Sequence, residues 1–141
     1  MYSEYYEEYP VSENCAIVTE HYINRVAIHA SPVLTLYHNK KPYHLTLDTG
    51  GTCNVLDHQS ASSLNCDIRP TYQRARMADG RSSLSVLGET DIEFTRSGKS
   101  YRLTALVCDI PEPTILAGMP FMLDNDVAIR PAKAEIIIDG V

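Results

Sequence analysis

No apolar run in this sequence approaches the roughly 18 residues that a membrane-crossing helix needs. Basic residues are scarce: twelve Lys and Arg stand against eighteen Asp and Glu, a net charge of −6. Nucleic-acid binders usually carry a basic patch, so this balance weighs against a phosphate-binding surface. The densest basic group, Arg74, Arg76 and Arg81, reads as a solvated hairpin. Only four cysteines are present, Cys15, Cys53, Cys66 and Cys108, with no Cys-x-x-Cys pair and no histidine at zinc-finger spacing. They are expected to be free thiols, mostly buried, and not a disulfide framework. The five histidines, His21, His29, His38, His44 and His58, have no spacing that suggests a metal site. Met1 to Pro10, rich in Tyr and Glu, lacks the basic start and apolar stretch of a secretory signal, so a cytoplasmic location is expected. No internal repeat is visible, so every motif occurs once.

What remains is the composition of one globular domain: 141 residues, 44% hydrophobic and 21% charged. Residues 1–25 read as an acidic, Tyr-rich and partly disordered segment, and 26–141 as the folded domain. Short β-rich runs follow one another: Val26–Ile28, Val33–Tyr37, then Tyr43, Leu45 and Leu47 alternating with polar residues. The spacing predicts turns at His38–Lys41 and Ser97–Lys99, and a hairpin turn at Ala78-Asp79-Gly80. Thr90–Phe94 alternates, and Tyr101, Leu103, Ala105 and Val107 should share one face. Asp57 is placed to cap a short helix through Ala61 to Leu64, and Pro120 to start another toward Asp124. Ile136–Ile138 reads as a last strand, equally suited to a core or to an interface. The expected fold is all-β, many short strands with one or two short helices.

The strand through Leu45 and Leu47 runs straight into Asp48-Thr49-Gly50-Gly51. The glycines let the backbone turn sharply and bring amide groups to the carboxylate. One such Asp does little, but two held about 3 Å apart cannot both ionise, so they share a proton. One then acts as base toward a water while the other donates to a substrate carbonyl. No other Asp in the chain is followed by Thr or Ser and then Gly, so the second must come from another copy. A two-fold dimer supplies it by symmetry.

The run Leu45-Thr46-Leu47-Asp48-Thr49-Gly50-Gly51-Thr52 resembles the active-site loop of retropepsin-like aspartic proteases. Ile115-Leu116-Ala117-Gly118-Met119-Pro120-Phe121 resembles that family's second signature, an apolar pair leading to glycine. The Leu-Ala-Gly-x-Pro-Phe wording, followed by Asn125–Ile129, is most similar to the proteases of Ty3/Gypsy-type LTR retrotransposons. The resemblance spans roughly residues 26 to 138. It implies a closed β-barrel protomer, active as a two-fold homodimer, that cleaves an extended peptide or a Gag-Pol polyprotein in the cytoplasm or a virus-like particle. No metal or organic cofactor, nucleic acid or membrane is implied. Asp48 would be the catalytic carboxylate, Thr49 the cross-axis hydrogen-bonding residue, and Gly50 and Gly51 part of the loop. Met77, Ala78, Asp79, Gly80 and Arg81 would form the flap tip. Ile115, Leu116 and Gly118 would pack beneath the loop, and Ile136–Ile138 would contribute to a dimer sheet. Three features depart from the family pattern: Gly51 stands where Ala is usual; Ala117 is an extra residue before the signature glycine, and the Gly-Arg-Asp/Asn form common in retroviral enzymes is absent; and the segment before Val26 has no counterpart in the family.

Other readings stay open at this point. Cys53, near Asp48 and His58 in sequence, is a candidate nucleophile that lacks a defined base. Asp48 alone is also ordinary turn chemistry. A retropepsin-like domain retained only for dimerisation or peptide binding, or a cellular retropepsin-like domain, would carry the same barrel.

Overall fold

The structure, a computed structural model, describes residues 20–23, 32–77 and 83–139. The expected strand at Val26–Ile28 and the flap-tip residues Ala78 to Arg81 lie outside the described residues. In chain order the elements are β1 (Glu20–Ile23), β2 (Val33–His38), β3 (Lys41–Leu47), β4 (Val55–Asp57), α1 (His58–Ser63), β5 (Arg74–Met77) and β6 (Ser83–Leu84). After them come β7 (Val86–Arg96), β8 (Lys99–Cys108), β9 (Ile115–Ala117), α2 (Met119–Asp124), β10 (Val127–Arg130), a 3-10 turn (Pro131–Lys133) and β11 (Glu135–Ile138).

Six strands close into a barrel in the order β2-β3-β9-β4-β8-β7, and closure removes the exposed edges that an open sheet would leave. Two tight hairpins build much of it. Asn39 and Lys40 both take positive φ, 50° and 66°, and so do Ser97 and Gly98, at 51° and 78°. That backbone matches the twist of the flanking strands, which joins β2 to β3 and β7 to β8 at the turns the sequence predicts. Alternation then decides which side chains enter the barrel. Thr90, Ile92 and Phe94 of β7 and Tyr101, Leu103, Ala105 and Val107 of β8 are all buried, as are Leu45 and Leu47 of β3. All of these but Thr90 form one continuous hydrophobic core with Leu34, Leu36, Leu56 and Phe121.

A second, smaller cluster joins Cys53, Val55, Ala75, Leu106, Cys108, Ile110 and Leu116. Outside the barrel, β1 pairs parallel with β5 and β5 antiparallel with β6, a three-stranded sheet. β10 and β11 form an antiparallel hairpin whose Ile138 is buried and whose Val127, Ile129 and Ile136 pack on the main core. The 136–138 strand is therefore a core strand in the protomer.

Both short helices start as the sequence indicates. The Asp57 carboxylate accepts the Ser60 amide at 3.0 Å and so caps α1. Pro120 lies in the first turn of α2, where it gives up no helical hydrogen bond. No described helix is long and apolar enough to cross a membrane.

Candidate active site

β3 and β4 are consecutive in the chain but are not paired with each other. β9 lies between them, parallel to β3 (Thr46↔Leu116, Leu47↔Ala117) and antiparallel to β4 (Val55↔Leu116, Leu56↔Ile115). The connection from 48 to 54 must therefore pass over the end of β9. Three backbone bonds fix it there. Asp48 N–H donates to the Ala117 carbonyl at 2.9 Å, Gly51 N–H to the Asp48 carbonyl at 3.0 Å, and Met119 N–H to the Gly51 carbonyl at 2.8 Å.

Within this loop the Asp48 carboxylate is half-buried, while Thr49 and Gly50 are exposed. Gly50 N–H donates to Asp48 Oδ1 at 3.0 Å, the amide approach that the paired glycines make possible. Gly51 is buried, and a Cβ there would lie 3.0 Å from Asp48 Oδ2. The small residue at this position is thus matched to the carboxylate's own place. Gly118 is needed for the same kind of reason: a Cβ on it would run into the Cys53 carbonyl oxygen and come within 2.8 Å of the Gly51 carbonyl. Backbone rests on backbone where β9 ends, and only glycine permits that distance. Ile115 and Leu116 are buried beneath, paired into β3 and β4. The structure thus brings Asp48, Gly51, Ile115, Leu116 and Gly118 together. Met77 closes β5 at the start of the hairpin.

One supporting residue was not anticipated. Asn54 is 4% exposed; its Oδ1 accepts the Gly118 amide at 2.8 Å and its Nδ2 donates to the Thr104 carbonyl at 2.9 Å. Its own carbonyl accepts from Leu106 N–H. A single side chain therefore ties the loop to β9 and to β8. The available signal was an amide inside an otherwise apolar run, Cys53-Asn54-Val55-Leu56. Asp57 likewise does more than cap α1: its Oδ1 accepts the Thr114 amide at 2.8 Å and holds the entry to β9.

The reading of Cys53 as a nucleophile is overturned by its surroundings. Burial, reinforced by nearby Cys108 and by the Asp48 carboxylate, pushes its thiol up to about 12. A thiol so placed stays protonated at neutral pH and does not attack. Cys108 is likewise pushed to about 12 by burial. His58 sits exposed at the start of α1. Among the described residues no group of His, Cys, Asp and Glu is arranged to hold a metal ion.

The profile of the aspartyl protease family matches residues 34–121, more than half of the chain and the whole of the loop, the strands around it and the Gly118 element. The chain belongs to this aspartyl protease family. Its barrel superposes on the retroviral protease-like domain of Ddi1 from Leishmania major with a TM-score of 0.62 at 13% identity, covering 80% of this chain and 91% of that one. It also superposes on EIAV protease in an inhibitor complex, with a TM-score of 0.55 at 19% identity, covering 71% and 92%. No curated protein matches the sequence at a significant level. The fold is that of a retropepsin-like protomer.

Proposed function

We propose that this aspartyl protease is a peptide endohydrolase that works as a two-fold homodimer, with Asp48 contributed by each copy. The observation that carries the reading is the single Asp48-Thr49-Gly50 loop, clamped over the end of β9 by Ala117, Met119 and Asn54. That fixation holds a half-buried carboxylate with Thr49 and Gly50 exposed beside it. The barrel contains no other Asp in such a turn, so a partner copy completes the site. The two carboxylates then share one proton; the ionised one draws a proton from water, and the protonated one polarises the scissile carbonyl. No covalent intermediate forms. The substrate is an extended peptide, held by strand-like hydrogen bonds between the β5–β6 hairpin and the Asp48 floor. Residues 77–81 are its flap tip, closing over the peptide as a lid.

The Leu116-Ala117-Gly118-Met119-Pro120-Phe121 wording supports a natural substrate of the retroelement Gag-Pol type, cut in the cytoplasm or in a virus-like particle. A cellular retropepsin-like role is the second reading, favoured by the superposition on the Leishmania Ddi1 domain. Cleavage of a retroelement polyprotein segment, set against a set of unrelated unfolded proteins, separates the two. For the activity itself, Asp48→Asn should abolish cleavage of a peptide library and leave the fold unchanged by circular dichroism. Undiminished cleavage by that variant would end this reading.

A further inference from the structure

The β5–β6 hairpin does not stand alone. Strand β1 lies parallel along one edge of β5, with Glu20 opposite Arg74 and Ile23 opposite Met77. β6 takes the other edge of β5, with Ala75 opposite Leu84. β5 is therefore the centre of its sheet, and both of its edges are taken by this chain. The sheet is also close to the catalytic loop. Ala75 of β5 is 2% exposed and packs in one cluster with Cys53 and Leu116, and Cys53 feels the Asp48 charge. A cavity of about 220 Å³ opens along the same hairpin, between residues 73–76 and Ser83, Leu84 and Val86.

We infer that strand β1 is an intramolecular competitor of the substrate: residues 20–23 occupy the flap edge on which an extended peptide must pair. This rests on the proposed peptide-hydrolase reading. Strand addition recognises any extended backbone, with main-chain hydrogen bonds supplying the affinity. A segment of the same chain, tethered through residues 24–31, meets that edge at an effective concentration of about millimolar. Four paired residues make only a few hydrogen bonds, so the strand is displaceable. It raises the concentration of free peptide needed for binding without altering the chemistry. A site that is open only a fraction of the time shows an apparent affinity lowered by that fraction.

The test uses the full chain carrying His21→Pro and Tyr22→Pro together. Proline removes the strand's donors and blocks its pairing; β1 lies outside the closed barrel, so the core is untouched. Amide exchange over residues 74–77 should speed up, and KM for an extended peptide should fall by about fivefold or more with kcat unchanged. A synthetic peptide of residues 18–25, added to the variant, should restore the higher KM as a competitive inhibitor. Faster exchange with an unchanged KM overturns the inference, as does unaltered exchange in the variant. Absence of both cleavage and statine-type inhibitor binding, in parent and variant alike, overturns the functional reading on which it stands.

Discussion

At the scale of single residues, the site depends on positions where one atom more or less decides the outcome. Gly118→Ala places a methyl group against two carbonyl oxygens of the Asp48 loop. Backbone cannot yield as a flexible side chain would, so the variant should lose about 1–3 kcal/mol in urea denaturation, the usual cost of overpacking. Its cleavage should fall further than its stability accounts for at temperatures where it remains folded, because the displaced loop carries the carboxylate. Asn54→Ala acts by deletion: it strands the buried Gly118 N–H and the Thr104 carbonyl. The abandoned buried amide costs about 1–3 kcal/mol, the more exposed Thr104 carbonyl less, and equilibrium unfolding should show a loss of that order. Cys53 makes the opposite prediction. Its thiol, pushed up to about 12, carries almost no thiolate at pH 7.5. Iodoacetamide should leave cleavage intact, and Cys53→Ser should retain it; inactivation by the reagent in a Cys15→Ser, Cys66→Ser background would return the thiol to the mechanism.

At the scale of elements, periodicity and turn chemistry carried most of the information. The alternation through Tyr101–Val107 and the turns at 39–40 and 97–98 were legible because each strand has one buried face and each turn demands positive φ. Lys40 pays for that conformation with a Cβ, so Lys40→Gly should stabilise the β2–β3 hairpin or be neutral, within about 1 kcal/mol, as read from the thermal midpoint. The Asp48 loop and the Gly118 element were legible as a pair through their resemblance to the two signatures of retropepsin-like proteases. What the sequence did not disclose are contacts without a local signature. The insertion of β9 between β3 and β4 joins residues about seventy positions apart in the chain. The pairing of residues 20–23 with 74–77 is equally non-local, and Asn54 is a surface-type residue used inside. The segment before β5 is tied to β7 in a similar long-range way: Arg69 contacts Glu89 at 3.1 Å and Asp91 at 2.7 Å. Arg69, then the Thr104 hydroxyl, hold the Asp91 carboxyl below its ordinary value of 3.8. A depressed folded-state value means that this stabilisation is fully present above pH 4 and is lost as the pH falls through the folded value. Asp91→Asn should therefore lower the thermal midpoint modestly at pH 7, since solvent screens the exposed pair, and the gap to the parent should close as the pH falls below about 4.

At the scale of the whole molecule, the proposed mechanism needs twice what one protomer holds. The barrel fixes one Asp48 and leaves its neighbours, Thr49 and Gly50, exposed; on the proposed reading this serves catalysis only when a second copy faces it. Activity should then follow the concentration of dimer and not of chain, so specific activity should fall on dilution and recover when the enzyme is concentrated again. A mixing experiment tests the shared site more directly. Let Asp48→Asn chains, which keep the loop's shape, be mixed with wild-type chains and allowed to exchange. If each active unit needs a carboxylate from both copies, a mixed dimer is dead, and activity varies as the square of the wild-type fraction. At constant total chain, an equimolar mixture should retain about a quarter of the activity and not a half, because random pairing in a two-fold dimer leaves a quarter of the units doubly wild-type. The pH profile should be bell-shaped, since one proton must be held by the pair: full protonation removes the base and full ionisation removes the acid. A linear dependence on wild-type fraction would mean that a single Asp48 suffices. Such a result would take the catalytic centre away from the two-fold axis and leave the single loop to be explained as a site complete within one barrel.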